Sequence, residues 1–425
     1  MFIKRTENNW LAKWWLGVDK TVLFSVLALV LFGVVIQFAA SPYQARRSGY
    51  NEYHFIRNMC IYIFPSIMLM IYISSFSLQK IRKWTLRVFP ILCFSLLITL
   101  FFAKTKGASR WIDFKIFKLQ PSEFLKPVFA IIVAMILVRI KDFQKEVKDM
   151  NKKNEVPKKR NGVLVFIFRC IAFVCKASDK IIAFILRRPK EKIELSKIED
   201  LKKRKKRYII LLLGILGMVS FLLLCQPDFG MTLTFICIFF SEIFVAGLPW
   251  IIIFILISLG VGGIGLAYKF IPHVTRRIDM FLTDDNYQLH KALDAIKESN
   301  FLFGGHSNNL KTIVPDIHTD FIFAAVIEEF GPVLSILLIV MFLVLIIHIL
   351  YRLKIKDDLF VIFAGVGIIS YITFQILYNL FSTLGIGPTK GMTLPFISYG
   401  GSSFLSSCIA IGIILSLLQD QNLRR

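Results

Sequence analysis

Long apolar runs broken by short polar stretches dominate the chain. Ten of them reach or approach the roughly 20 residues that an α-helix needs to cross a bilayer. They lie at about 21 to 40, 58 to 77, 84 to 103, 121 to 140, 208 to 225, 230 to 248, 250 to 271, 331 to 351, 359 to 382 and 393 to 418. The expected fold is an all-α polytopic membrane protein of about ten transmembrane helices. Cations gather in alternate connections: Lys4, Arg5, Lys13 and Lys20, then Lys80, Arg82 and Lys83, then 141 to 207, then Arg352, Lys354 and Lys356, and finally Arg424 and Arg425. Loops rich in Lys and Arg stay in the cytoplasm, so an even number of spans places both termini on that side. The first run lacks the small-residue cleavage site of a signal peptide and is read as a retained span.

This pattern divides the chain into a cytoplasmic segment (1 to 20), helices one to four (21 to 140), a basic cytoplasmic insertion (141 to 207), helices five to seven (208 to 271), an extracytoplasmic loop (272 to 330), helices eight to ten (331 to 418) and a tail (419 to 425). A loop as long as 272 to 330 exceeds what a helix connection requires and points to function on the outer face. Within the insertion, Val163 to Cys175 is apolar but too short to span. With Arg169, Lys176, Arg187 and Arg188 at its flanks it reads as an interfacial helix.

Composition agrees with a membrane chain: of 425 residues 56% are hydrophobic and only 19% charged, too few to cover a water-soluble globule. The net charge of +24 invites a nucleic-acid reading, but 22 Lys and Arg against 9 Asp and Glu fall between Lys141 and Arg207. Over half of the excess is therefore a positive-inside connector facing an anionic leaflet. The seven cysteines, Cys60, Cys93, Cys170, Cys175, Cys225, Cys237 and Cys408, are odd in number and form no CxxC pair, so neither a disulfide framework nor a zinc site is expected.

Several polar residues interrupt this apolar background. Pro121 suits the first turn of a helix on which Glu123 and Lys126 share a face. Ionisable groups in membrane helices face cavities or polar pathways as often as they form structural pairs. Gln375 and Asn379 are four apart and read as interhelical hydrogen-bonding groups, and Glu242 as structural. If 318 to 330 is helical, His318 and Glu329 project from one face. No HxxxH or HExxH spacing is present, so a hydrogen-bonding His318 is favoured over a metal ligand. Pro388 to Ser403 places small, hydroxylated and glycine residues at the opening of the last span, where close packing or approach to a polar headgroup both account for them.

The ordered set GASRWID, QPSE, QPDFG, Tyr287-Gln288 after an acidic loop, PDIHTDFIFA with EEFG, and PTKGMTLPFISYGGSS resembles the SEDS proteins of bacterial division, elongation and sporulation over residues 20 to 418. The PTKGMTLP wording is more similar to the division members than to the elongation members. The resemblance implies a ten-span peptidoglycan glycosyltransferase polymerising lipid II on the outer face of the cytoplasmic membrane, at the septum, beside a class B penicillin-binding transpeptidase and other division proteins. It implies an essential aspartate at Asp284 or Asp285, with Asp279 a distant third. Candidate substrate-binding residues are Arg110, Gln120, Glu123, Lys126, Arg276, Arg277, Tyr287, Gln288, His318, Asp320, Lys390, Ser398, Ser402 and Ser403. A carboxylate would take the proton of the acceptor hydroxyl, or hold a divalent cation such as Mg²⁺ or Mn²⁺, and cations would meet the departing pyrophosphate. Alternatives are an elongation-type polymerase, a lipid II flippase and a noncatalytic scaffold.

Overall fold

Asp19 starts the membrane-embedded part: its side chain accepts from the Val22 N–H and caps helix α2 (Lys20–Arg47), which follows the short α1 (Trp10–Gly17). The same carboxylate is held by Arg352 at 3.0 Å and His348 at 3.1 Å. After α2 come α3 (His54–Ser74), α4 (Leu78–Thr99, capped by Ser77), a two-stranded hairpin of β1 (Ile112–Asp113) and β2 (Lys118–Leu119), and α5 (Pro121–Asn154). Then follow α6 (Pro189–Cys225), α7 (Phe229–Val245), α8 (Ile322–Lys354), α9 (Leu359–Thr383) and α10 (Gly401–Leu418). This computed structural model describes residues 10–102, 110–113, 118–154, 189–247, 317–387 and 391–419, with scattered positions between 254 and 293. The expected interfacial helix and most of the run at 250 to 271 lie outside the described residues.

The protein is an all-α polytopic membrane protein. Among the described residues six helices, α2, α3, α6, α8, α9 and α10, contain stretches long and apolar enough to cross a bilayer. Large apolar side chains face outward along them and along α4, as at Phe64, Phe94 and Phe221, where a water-soluble protein would place polar groups. The chain forms two compact units, residues 1–135 with 216–425, and residues 136–215.

In the first unit α10 packs along α3, α7 along α9, and α8 against both α2 and α9. Helix α8 breaks at Gly331, whose φ of 76° and ψ of 171° suit only glycine, and Pro332 follows. The segment before this kink is almost wholly buried; the long arm after it alternates buried and exposed faces. Two expectations need correction here. His318 is not on the helix of Glu329, because residues 317 to 320 form turns and α8 opens only at Ile322. The last helix opens at Gly401 rather than near 393. Pro395, the positive φ of 67° at Phe396 and a turn in which the Ser398 N–H returns to the Leu394 carbonyl keep 391 to 400 irregular.

The second unit is a helical hairpin. Ile136, Ile140, Phe143, Val147 and Met150 recur at three- and four-residue steps on α5, as do Ile198, Leu201, Lys205, Tyr208 and Leu212 on α6, and these positions are buried or half-buried while most between them are exposed. Such spacing makes one apolar seam per helix. The Phe143 and Tyr208 rings meet at 5.5 Å and set the level at which the helices face each other.

Candidate active site

A cavity of about 730 Å³, lined by polar and apolar side chains together, opens between the N-terminal half of α3, the hairpin β1–β2 and the start of α10. Asn58, Tyr62 and Ser66 line it from α3, Trp111, Asp113 and Lys118 from the hairpin, and Thr319 and Tyr399 to Ser402 from the two loops beside it. Leu119, Phe124 and Leu405 line this cavity and also a second, apolar one of about 560 Å³. The second is a groove among α3, α4, α5 and α10, walled by residues such as Phe76, Trp84, Leu92, Val128 and Ile413. A chamber that carries polar groups, set against a groove that is almost wholly apolar, offers the two environments that an amphiphile with a polar head and a hydrocarbon tail requires.

The hairpin roof is fixed by few bonds. Ile112 pairs with Leu119 and Asp113 with Lys118, the latter also by an exposed ion pair of 3.7 Å. Ser402 donates to the Lys118 carbonyl and accepts from the Gln120 N–H, tying β2 to α10. The Gln120 side chain reaches Ser122, and Ser403 pairs with Thr393 at 2.6 Å.

Beneath this roof lie two internal ion pairs. Lys126, only 1% exposed, donates to Glu123 at 2.7 Å and sits 5.2 Å from the Tyr371 ring centre of α9. Ser406 of α10 donates to the Glu123 backbone carbonyl, so one turn of α5 is joined to two other helices. Arg110 pairs with the buried Asp228 at 3.2 Å and donates to the Pro227 carbonyl. Asp228 also caps α7 through the Met231 N–H, and Gln226 caps the end of α4 by donating to the Leu96 carbonyl and the Thr99 hydroxyl. The Gln-Pro-Asp turn is therefore a clip joining α4, α7 and the entry to the hairpin.

The loops at 317 to 320 and 391 to 400 are stitched together from both sides. Gln37 of α2 donates to the His318 and Ile397 carbonyls, and Asn379 of α9 to the Asp320 and Met392 carbonyls. Ser398 accepts from the Leu394 N–H and donates to the Thr319 carbonyl. Gly33, one turn before Gln37, lets the loop approach: a Cβ there would collide with the Phe396 carbonyl oxygen. Next to the cavity, His318 packs on Phe55 at 4.5 Å, and both contact Tyr399, extending a stack that begins with Tyr50 and His54. Burial raises the Tyr399 phenol above its ordinary value, opposed by a hydrogen bond with Asn58 and assisted by nearby Tyr62.

Of the residues singled out from sequence, Ser402 lines the cavity. Gln120 bonds to Ser402, Ser403 to Thr393 and Ser398 to Thr319, His318 packs on Phe55, the Asp320 carbonyl accepts from Asn379, and Arg110, Glu123 and Lys126 stand in the two ion pairs. Asp284, Asp285, Arg276, Arg277, Tyr287, Gln288 and Lys390 lie outside the described residues. Asp279 accepts from the Tyr268 hydroxyl at 2.8 Å. Sequence reasoning passed over Gln37, Asn58, Tyr62, Asp228, Tyr371 and Tyr399. Asp228 carried a readable signal, an Asp directly before an apolar run. The aromatic residues carried none among so many others. Glu242 is fully buried on α7, its oxygens beside Gly367 of α9, with no hydrogen-bond partner among the described residues. Among the described residues no three His, Cys, Asp or Glu side chains converge to hold a metal.

Fold and site together define a class: polytopic helical membrane proteins with a chamber of mixed lining beside an apolar groove, braced by internal ion pairs. The sequence profile of the cell cycle protein family, which groups FtsW, RodA and SpoVE, matches residues 20–186 and 182–423, and the chain belongs to this family. It is 32% identical over 424 residues to the probable peptidoglycan glycosyltransferase FtsW of Caulobacter vibrioides, covering 98% of this chain and 93% of that one. The FtsW of Coxiella burnetii is 28% identical over 435 residues, covering 98% and 99%. Among solved structures, a chain from a study of structural coordination of polymerization and crosslinking by a peptidoglycan synthase complex superposes with a TM-score of 0.68 at 21% identity, covering 95% of this chain and 98% of that one. The rod shape determining protein RodA of Thermus thermophilus superposes with a TM-score of 0.59 at 20% identity, covering 95% and 97%. Both likenesses are of fold.

Proposed function

We propose that this protein is a peptidoglycan glycosyltransferase of the FtsW type that joins lipid II units into glycan strands at the outer face of the bacterial cytoplasmic membrane, for the division septum. The observation that supports the reading is a chamber of mixed polar and apolar lining beside an apolar groove, the two sharing Leu119, Phe124 and Leu405 as wall residues. The chamber takes the sugar and pyrophosphate of a lipid-linked substrate, and the groove takes the first part of its isoprenoid tail. In this reading the spans number ten, both termini are cytoplasmic, and the chain between 272 and the opening of α8 at Ile322 belongs to the outer face.

In the reaction the acceptor 4-hydroxyl attacks the anomeric carbon of the donor. The new C–O bond forms as the bond to pyrophosphate breaks, and the hydroxyl proton passes to the carboxylate of Asp284 or Asp285, a role worth about 10² to 10⁴ in rate. The leaving pyrophosphate gathers charge, so cations that meet it in the transition state lower the barrier. Lys118 lines the chamber, and Arg276, Arg277 and Lys390 are the further cations proposed for this role. Arg110 and Lys126 are each held by a carboxylate and position the chamber's frame. Holding both tails in one membrane plane fixes the direction of approach. A class B penicillin-binding transpeptidase is the proposed partner that crosslinks the product.

The test is purified protein with fluorescent lipid II, with and without Mg²⁺ and with a cognate transpeptidase. Polymer without translocation is the expected result; translocation without polymer supports a flippase, and neither supports a scaffold. Asp284→Ala should lower polymerisation by at least about 10² while the protein still folds. Loss in Asp285→Ala alone moves the base by one position, and full activity in both variants overturns the acid–base assignment.

A further inference from the structure

The hairpin of residues 136 to 215 carries charge that the proposed chemistry does not use. On α6, Lys202, Lys203, Arg204, Lys205, Lys206 and Arg207 follow one another without interruption. At 100° per residue, six consecutive positions go all the way around a helix within about 8 Å of its length. Two of the six are matched from the preceding turn: Lys203 meets Glu199 at 3.6 Å and Arg204 meets Asp200 at 2.9 Å. Lys202, Lys205, Lys206 and Arg207 make no ion pair among the described residues. Lys202 and Lys206, four apart, share one exposed face with Arg207 beside them, and Lys205 is half-buried.

The next residues change character at once. Tyr208 packs on Phe143, and from there Ile209, Ile210, Leu211 and Leu213 are exposed apolar side chains. An outward-facing apolar surface on a helix that continues into a membrane-spanning stretch belongs in hydrocarbon. An aromatic pair at such a junction belongs at the interface. The six cations therefore lie within the phospholipid headgroup layer. Since α5 runs antiparallel with Phe143 level with Tyr208, exposed Arg139, Lys145 and Lys148 and half-buried Lys141 fall within about two turns of the same level, together with exposed Asp142, Glu146 and Asp149.

We propose that this collar is a binding site for anionic phospholipid headgroups, with Lys202, Lys205, Lys206 and Arg207 as its ligand-facing cations. The occupant is chosen by charge complementarity and by level. Phosphodiester groups of the inner leaflet are the anions present at the height of the apolar boundary, and juxtamembrane Lys and Arg are attracted to them over a Debye length of about 8 Å at physiological salt. A general positive-inside loop would need only net charge. Here four unmatched cations are held at one level on a rigid helix, so the lipid is retained rather than merely enriched. The inference stands independently of the reaction at the chamber.

The experiment uses the full-length protein in neutral detergent micelles and measures binding of fluorescent phosphatidylglycerol against fluorescent phosphatidylcholine at about 0.15 M salt. The native chain should prefer phosphatidylglycerol, and its affinity should fall steeply as salt rises. Replacing Lys202, Lys205, Lys206 and Arg207 together by Gln should weaken that binding at least about tenfold, with phosphatidylcholine binding unchanged. The variant with Arg at positions 202, 205 and 206 should retain it. If the Gln variant does not fold, the salt titration of the native chain decides alone. Undiminished binding by a folded Gln variant, equal binding of the two lipids by the native chain, insensitivity to salt, or displacement of phosphatidylglycerol by equimolar duplex DNA or polyglutamate overturns the proposal.

Discussion

Glu123 and Lys126 on α5 and the run from Lys202 to Arg207 on α6 treat charge in opposite ways. The pair is sealed among helices, with side chains 6% and 1% exposed, and its two members satisfy each other at 2.7 Å. The run is exposed, and where acids pair with it the contacts stay in solvent. In the first region a charge survives only because a particular partner and Tyr371 stand at fixed positions; in the second a charge is cheap to hold and useful only for what it attracts from outside. Removing one charge should therefore be severe in the first place and almost invisible to stability in the second.

The strongest way to break this comparison is Lys126→Met. It leaves the Glu123 carboxylate buried and unmatched, which costs about 3 to 5 kcal/mol, and thermal unfolding in detergent should show a large loss. Glu123→Gln combined with Lys126→Met removes both charges and should recover most of that stability. If the double variant is as unstable as the single one, the pair is not what holds α5 against α9 and α10. Lipid II polymerisation by a folded double variant then measures what the pair contributes beyond stability.

A middle case tests a neutral contact instead of a charged one. Gly33→Ala drives a methyl group into the Phe396 carbonyl, which is backbone and cannot rotate away. Overpacking of this kind costs about 1 to 3 kcal/mol. The loop at 391 to 400 should move with it, so lipid II turnover should fall by more than the stability loss accounts for. Equal turnover per folded molecule would show that the loop tolerates displacement and that Gln37 alone sets its position.

These cases show which features the sequence made legible. The run lengths marked the six strongly apolar helices among the described residues, because a bilayer imposes a length and a composition that single residues cannot disguise. Pro121 marked the start of α5 for a local reason, its missing N–H. The spacing of Glu123 and Lys126 announced their shared face. The burial of that pair was not legible, since it depends on Tyr371 and Ser406, more than 200 residues away. The irregular stretch before α10 was misread as helix because its apolar content resembles a span, whereas Pro395 and the bonds from Ser398, Gln37 and Asn379 settle its path. The cavity wall was illegible for the same reason: it is assembled from α3, the hairpin and two distant loops, and nothing local marks Tyr62 or Tyr399.

The smallest expected effect lies in the basic run. Asp200 holds Arg204 at 2.9 Å, but both side chains are more than half exposed, so the Coulomb gain is screened and set against the cost of ordering two side chains. Asp200→Asn should change stability by less than about 0.5 kcal/mol. The same substitution releases Arg204 and removes a negative charge from the collar. Binding of fluorescent phosphatidylglycerol should tighten about threefold to fivefold, in line with roughly 1 kcal/mol for each cation near an anionic surface. A variant that loses stability without gaining lipid would place Asp200 among groups that hold the hairpin together, and the contrast between the two regions would fail at its exposed end.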